Sequence, residues 1–301
     1  MQNTRAFFQA RGVLEVETPI VSSACASDRH IQSIELSLRG QSAFLNTSPE
    51  YAMKRLLASY GEPIYQVCKV FRDDELGPVH NPEFSMLEWY RPGFDMFDLM
   101  DEVQSLVSTL HGRSAAVFSR MTYRQAFERA AGFNPHTVSA DRCRQCAQAH
   151  NIECPVGLRD DVDEWLDWLL TQLVMPALPR AAYTFIYDYP ASQSALAKLA
   201  INSQGDNVAQ RFELLFGELE LANGYLELQD ANEQRARFEA DNDARRAAGL
   251  VPAVLDKRLL AALEHGLPEC SGVALGLDRL LMVLGESSRI QDTLTFEWRN
   301  A

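Results

Sequence analysis

His80-Asn81-Pro82-Glu83-Phe84-Ser85-Met86-Leu87-Glu88-Trp89-Tyr90 is the stretch from which the fold can be read. After Pro82 the side chains alternate between two faces of a strand, so Phe84, Met86, Glu88 and Tyr90 share one side. The run just upstream, Pro63 to Arg72, has the same period and places Gln66, Cys68, Val70 and Arg72 together. A polar connection from Asp73 to Pro82 joins the two strands. If their faces coincide, a guanidinium, an aromatic ring, a carboxylate and a phenol line one surface, with His80 and Asn81 in the loop above. A nucleotide and an amine need those groups: a guanidinium for phosphate, a ring for the base, a carboxylate for ammonium. The plainer alternative is a solvated sheet face with a stray salt bridge.

Toward the N-terminus, Ser33 to Leu38 and Ala43 to Asn46 are short strand runs, and Pro49 to Ser59 has helical spacing. The opening residues are helical up to Gly12, a favourable residue just past a helix end, and Leu14 to Pro19 is extended. Helical patterns follow at Met96 to Leu110, Thr122 to Ala131, Ser139 to His150 and Val162 to Leu178, the last with Trp165, Leu166, Leu169, Leu170 and Leu173 on its apolar side. Strand character returns at Tyr183 to Tyr187 and Arg211 to Leu228. Helices from Asp230 to Ala248 and Asp256 to His265 precede a strand and helix around Gly272 to Leu284. Strands arrive in groups without regular alternation with helices, which predicts an α+β fold: an antiparallel sheet flanked by helices, in a single domain over 1–301 with a helical insertion at about 122–180.

The chain has 301 residues, 28 Lys+Arg against 41 Asp+Glu for a net charge of −13, and 47% hydrophobic residues, which excludes disorder and fibre. A pI of about 4.9 argues against wrapping nucleic acid by bulk charge, while an acidic protein attracts cationic substrates. Met1-Gln2-Asn3-Thr4-Arg5 opens no apolar targeting segment, and no apolar run reaches the roughly 20 residues of a bilayer span. The expectation is a cytoplasmic protein with no membrane contact. Six cysteines are too few for a disulfide scaffold. Cys143, Cys146, His150 and Cys154 have zinc-like spacing, but on one helix Cys143 and Cys154 would lie about 16 Å apart, so only a break near Asn151 could gather them.

Two further stretches carry chemistry. Glu213, Glu220 and Glu227 are evenly spaced along Arg211 to Leu228. A hairpin turning near Phe216-Gly217 would set Glu213 opposite Glu220; one turning at Asn223-Gly224 would set Glu220 opposite Glu227. Opposed carboxylates destabilise a sheet unless a cation lies between them, so a divalent ion or an ammonium is the natural guest. An exposed acidic edge strand is the alternative. In Gly272-Val273-Ala274-Leu275-Gly276-Leu277-Asp278-Arg279, glycines let a ligand approach the backbone, and Arg279 at the next helix start can reach a phosphate.

Taken together and in this order, these strings resemble the three signature motifs of class II aminoacyl-tRNA synthetases, in particular the lysyl branch. Thr4 to Val21, with Gly12, Glu17 and Pro19, is similar to motif 1, which implies a homodimer. Phe71-Arg72-Asp73-Asp74-Glu75 through Tyr90 is similar to motif 2, and Gly276-Leu277-Asp278-Arg279 to motif 3. The chain starts at motif 1, so the anticodon-reading OB-fold of a lysyl-tRNA synthetase is expected to be missing. Ser48-Pro49-Glu50-Tyr51-Ala52-Met53-Lys54-Arg55-Leu56-Leu57 and Glu88-Trp89-Tyr90-Arg91-Pro92 resemble the stand-alone branch of the family. Its members activate (R)-β-lysine with ATP and transfer it to a lysine side chain of elongation factor P. At Ala274 the lysyl synthetases have glycine and the stand-alone branch alanine, a methyl group that can reshape the pocket floor.

The resemblance implies these roles. Arg72 grips the α-phosphate and Arg279 the far phosphates, with His80 nearby, making Arg72 and Arg279 the catalytic pair. Phe84 stacks on adenine, with Asp73, Asp74, Asn81, Glu220, Leu221 and Gly276 at the nucleotide. Glu213 and Glu220 hold Mg2+. Ser48, Pro49 and Glu50 approach the backbone-like amine, Glu88, Tyr90 and Glu227 surround the terminal ammonium, Asn223 and Arg72 hold the carboxylate, and Ala274 forms the floor. The family's Arg-x-Glu reads Arg72-Asp73-Asp74 here, one methylene short. Adjacent Glu75 cannot simply replace it, because in a strand Glu75 points to the opposite face from Asp74. The implied reaction is adenylate formation followed by transfer to a lysine amine, with tRNA not a substrate. Two rivals are a truncated synthetase charging tRNA through a basic patch at Arg235, Arg237, Arg245 and Arg246, and a catalytically silent regulatory module.

Overall fold

In a computed structural model the chain is described at residues 1–73, 75–112, 116–155, 158 and 160–301. In chain order the elements are α1 (Gln2–Gln9), β1 (Leu14–Glu15), β2 (Val21–Ser22), β3 (Glu35–Leu38), β4 (Gln41–Leu45), α2 (Glu50–Tyr60), β5 (Ile64–Phe71), β6 (Glu83–Pro92) and α3 (Met96–His111). Then come β7 (Phe118–Thr122), α4 (Tyr123–Ala131), α5 (Ala140–Ala149), α6 (Val162–Leu169), β8 (Tyr183–Pro190), β9 (Leu199–Ile201), β10 (Asn207–Phe216) and β11 (Leu219–Leu226). The last are α7 (Ala231–Ala247), α8 (Lys257–His265), β12 (Cys270–Gly276) and α9 (Leu277–Leu284). Helices and largely antiparallel strands make the α+β class that the grouping of strands predicts. The chain divides into two compact units, Met1–His111 with Leu226–Ala301, and Gly112–Tyr225.

In the first unit the strands run in the order β1-β5-β6-β12. β5 and β6 are antiparallel with Gln66 opposite Glu88, Cys68 opposite Met86 and Val70 opposite Phe84, so the two patterned faces coincide. β12 continues the sheet with Gly272 opposite Tyr90 and Ala274 opposite Glu88. Leu87 and Trp89 alternate with those residues and lie on the other face, in an apolar core with Phe8 of α1 and Leu99, Val103 and Leu106 of α3, all buried. Phe8 stacks on Tyr65 with ring centroids 4.4 Å apart and meets Trp89 edge-on at 5.3 Å. Trp89 donates its indole N–H to Glu102 at 3.0 Å, satisfying the one polar atom of that ring. Asp230 and Asp256 accept from the first free backbone N–H groups of α7 and α8 and fix where those helices start.

In the second unit the strand order is β11-β10-β8-β7, with β9 on β10. Phe127 of α4, Cys143 and Cys146 of α5, Trp165, Leu166 and Leu169 of α6, and Ile186 and Leu215 of the sheet form one buried cluster. Thr122 and Gln125 cap the start of α4 reciprocally. The helix expected over 162–178 is α-helical only to Leu169; Leu170–Val174 is π-helical and Met175–Ala177 a 3-10 turn. Pro176 cannot donate to an α-helical ladder, and the chain re-spaces its last turns around it.

Phe8→Ala leaves a void beneath Tyr65 and Trp89. The expected outcome is a loss of about 3–5 kcal/mol of unfolding free energy, read as a shift of the denaturation midpoint with the slope retained.

Candidate active site

The even-numbered face of β6 carries charge into the interior. Glu88 is 2% exposed, and both its oxygens accept from hydroxyls: Ser48 Oγ at 2.7 Å and Tyr90 OH at 2.7 Å. Ser48 Oγ also accepts from the Glu50 backbone N–H at 3.0 Å, so Ser48-Pro49-Glu50 both starts α2 and delivers a hydroxyl to the carboxylate. One turn along, Lys54 is 2% exposed and its ammonium lies 2.6 Å from Glu50 Oε1 and 2.6 Å from Glu227 Oε2, Glu227 being 1% exposed. Burial pushes the Glu88 carboxyl up to about 8, with repulsion from Glu50 adding and the Ser48 and Tyr90 hydroxyls opposing. Burial lifts Glu227 to about 7 against the pull of Lys54. For Lys54 burial acts downward, but the two carboxylates outweigh it and the side chain stays an ammonium.

β12 is thin where it crosses this cluster. A Cβ at Gly272 would run into the Tyr90 ring and Glu227 Oε1, so this position admits only glycine if both side chains keep their places. Two residues on, the Ala274 methyl lies on the same face, directly across the strand pair from Glu88.

The connection between β5 and β6 holds the phosphate-type groups. Arg72 Nη1 donates to Glu75 Oε1 at 3.2 Å, its guanidinium lies 5.2 Å from the Phe84 ring centre, and its buried Nε has no hydrogen-bond partner among the described residues. That pairing corrects the expectation for Glu75. β5 ends at Phe71, strand alternation no longer applies beyond it, and Glu75 reaches back to Arg72 from the loop. Asp74 lies outside the described residues; Asp73 is exposed and bridges to Gln32 through the backbone. Asn81 is committed internally, donating to Glu83 O at 2.6 Å and accepting from Trp298 N at 3.1 Å. Arg279 lies 2.5 Å from His80 Nε2 and donates to Val79 O at 3.2 Å, which ties the first turn of α9 to the same loop. Asp278 accepts from Ser85 N at 2.5 Å, and Gly276, opposite Met86, is the last residue before that helix.

In the second unit, β10 and β11 turn at Gly217, but Glu213 does not face Glu220. Glu213 lies opposite Asn223 and Glu220 opposite Leu215, because the register slips between Leu214 and Leu215 and Leu221 is the extra, buried residue. The bulge corrects both hairpin registers expected from the sequence. It still brings Glu220 round to the face of Glu213 and Asn223, since one added residue reverses the alternation. Arg211, two residues from Glu213 on the same face, forms an ion pair with it, and Asn223 Nδ2 donates to it at 3.4 Å. Burial pushes Glu213 up, Arg211 opposes, and the Glu220 charge adds to the push. Among the described residues no three His, Cys, Asp or Glu side chains group as a metal cage. Two like-charged carboxylates fit Mg2+ nonetheless, because that ion takes one or two carboxylates and completes its shell with water and phosphate.

The zinc-like string does not assemble. The chain does break at Asn151, with φ of 55°, yet Cys143 and Cys146 are packed in the apolar cluster and all six cysteines are free thiols. The expected basic patch is internally spent: Arg235 pairs with Glu264, Arg237 with Glu233 and Arg246 with Asp243, while Arg245 is buried against Asp28 O, Gln32 and Val251 O. Lys54 and Arg211 were not singled out in the sequence, although Glu50-to-Lys54 helical spacing and Arg211-to-Glu213 strand spacing are the signals that find them.

A family model for tRNA synthetases class II (D, K and N) matches residues 1–299, and the chain belongs to that family. Within it, the chain is 46% identical over 302 residues to a Proteus mirabilis protein named elongation factor P--(R)-beta-lysine ligase, covering 98% of this chain and 92% of the relative. Proteins of the same name from Pseudoalteromonas translucida, 43% identical over 99% of this chain and 92% of the relative, and from Baumannia cicadellinicola, 44% identical over 100% and 93%, are similar to it over the same extent. Among the described residues no helix is long and apolar enough to cross a membrane.

The Glu88 geometry predicts its titration. In protein with labelled glutamate carboxyls, one buried carboxyl should titrate with a midpoint near 8. Ser48→Ala removes a donor that favours the charged form, so its midpoint should rise further; a midpoint in the ordinary carboxylate range in either protein contradicts the burial argument.

Proposed function

We propose that the chain is an ATP-dependent ligase that activates (R)-β-lysine as an aminoacyl-adenylate and transfers it to a lysine side chain of elongation factor P. The observation that carries the reading is the buried Glu88 and Glu227 with half-buried Glu50 beside them, and one buried lysine paired to Glu50 and Glu227, in a chain whose relatives bear that name over nearly their whole length. A buried carboxylate group with too few internal cations favours a ligand bearing ammonium groups, and a neutral analogue leaves it unpaired.

In the first step a carboxylate oxygen of the amino acid attacks the α-phosphorus of ATP in line. The bond to the bridging oxygen breaks and pyrophosphate leaves. Arg72, whose buried Nε–H has no partner among the described residues, is the donor for charge on the α-phosphate, and Arg279, oriented by His80, serves the leaving phosphates. Phe84 offers a ring face for adenine, and Asp73, Asp74, Asn81, Glu220, Leu221 and Gly276 are assigned to the nucleotide. Mg2+, which Glu213 and Glu220 are suited to hold, supplies neutralisation of phosphate charge when bound. In the second step a neutral lysine amine attacks the acyl carbon, AMP leaves, and the amine proton passes to solvent. No covalent intermediate on the enzyme is required, because positioning and charge stabilisation carry the barrier.

For the amino acid, Ser48, Pro49 and Glu50 are assigned to the amine near the carboxylate, and Glu88, Tyr90 and Glu227 to the distal ammonium. Asn223 and Arg72 take the carboxylate, and the Ala274 methyl the difference between isomers. The proposal includes a homodimer through the N-terminal segment, where Leu14, Ile20 and Val21 are exposed. It places the enzyme in the cytoplasm. Charging of tRNA is disfavoured by the internal pairing of the four α7 arginines.

Arg72→Ala should lower amino-acid-dependent pyrophosphate exchange by at least about 1,000-fold; near-wild-type exchange would remove Arg72 from its role. Ala274→Gly should move the ratio of exchange rates toward α-lysine over (R)-β-lysine, and an unchanged ratio contradicts the assignment of the methyl group.

A further inference from the structure

Lys54 has no part in the chemistry above, yet it is the cation at the centre of the carboxylate cluster. The chain contains only four lysines, Lys54, Lys69, Lys198 and Lys257, and Lys54 is the one that is buried. Its ammonium touches Glu50 and Glu227 at 2.6 Å each. Among the described residues no cation pairs with Glu88, which is held by two hydroxyls. With all three carboxylates ionised, Lys54 cancels one charge and two remain. The groups facing Lys54 are Glu50 and Tyr51 on its own helix, Glu227, and Cys270 on β12, while Glu88 and Tyr90 on β6 face the carboxylates that it holds.

We propose that Lys54 is a positioning residue that sets the charge of the amino acid pocket, orienting Glu50 and Glu227 and leaving two negative charges for the two ammonium groups of a diamino acid. The proposal rests on reading this cluster as the amino acid site. A buried ion pair adds little stability over an apolar replacement, but removing one partner strands the other charge. Without Lys54, Glu227 takes up a proton and Glu50 and Glu227 lose their fixed orientation, so the pocket binds a dication less well rather than better. A residue serving only the fold would lower stability and leave the choice of ligand alone.

The test compares wild type, Lys54→Met and Lys54→Arg in ATP–pyrophosphate exchange with lysine and (R)-β-lysine, checking each protein's melting temperature. Lys54→Met should raise the diamino acid KM by at least about tenfold with the ATP KM within about twofold, a selective loss that a general folding defect does not produce. That deficit should shrink as the pH rises from about 7 to about 9, because deprotonation returns charge to the stranded Glu227. Lys54→Arg, which keeps the charge, should recover part of the loss. An unchanged diamino acid KM in Lys54→Met, or a deficit shared equally with ATP and insensitive to pH, overturns the proposal. Should Lys54→Met not fold, wild-type protein with 15N-labelled lysine side chains decides. Of its four signals, the one protected from solvent should move on addition of lysine and stay put with norleucine, and no ligand-dependent shift overturns the proposal. A wild type silent with both diamino acids defeats the functional reading instead; an active wild type with an indifferent variant defeats only the role of Lys54.

Discussion

Three clustered carboxylates, two of them buried, with one buried ammonium among them, are the constraint to which the first unit is fitted. Removing charge from water is costly, and the cost is met only where hydrogen bonds or counter-charges replace the lost solvent. Glu88 is met by the Ser48 and Tyr90 hydroxyls, and Glu50 and Glu227 by Lys54. Each partner depends on a backbone decision. The turn at Ser48-Pro49-Glu50 starts α2, the β5–β6 register sets Gln66 against Glu88, and Gly272 leaves space for Tyr90 and Glu227. The aromatic layer of Phe8, Tyr65 and Trp89 holds the sheet from its other side.

Much of this was legible because it rests on strict periods. The two-residue alternation of β5 and β6 foretells their shared face, and the helical spacings locate α2, α3, α7 and α8 within a residue or two. What escaped the sequence breaks a period. The slip at Leu221 decides the faces of β11, and no propensity marks where one strand gains a residue on its partner. Strand alternation ends at Phe71, so it says nothing of Glu75, which turns back to Arg72. Lys54 stands four residues after Glu50, a spacing that usually marks a solvated helix face; only burial shows otherwise.

Membership of the class II synthetase family accounts for the arginine-bearing strand connection and the glycine-containing strand before α9. On the proposed function, the choice of substrate rests on finer detail: a methyl at Ala274 across from Glu88, and the balance of carboxylate against ammonium charge. These side chains stand on sheet and helix, so the proposed selectivity is one of charge and shape fixed before any ligand arrives.

The central claim, that burial holds Glu88 protonated until an ammonium enters, is tested most directly by calorimetric binding of (R)-β-lysine in buffers of different ionisation enthalpy. Glu88 lies well above its ordinary range, so near neutral pH it carries a proton in the empty site. An arriving ammonium favours the ionised form. Net release of protons at about pH 7, fading by about pH 9.5, is the predicted result. Binding with no proton released, or with protons taken up, would contradict the account.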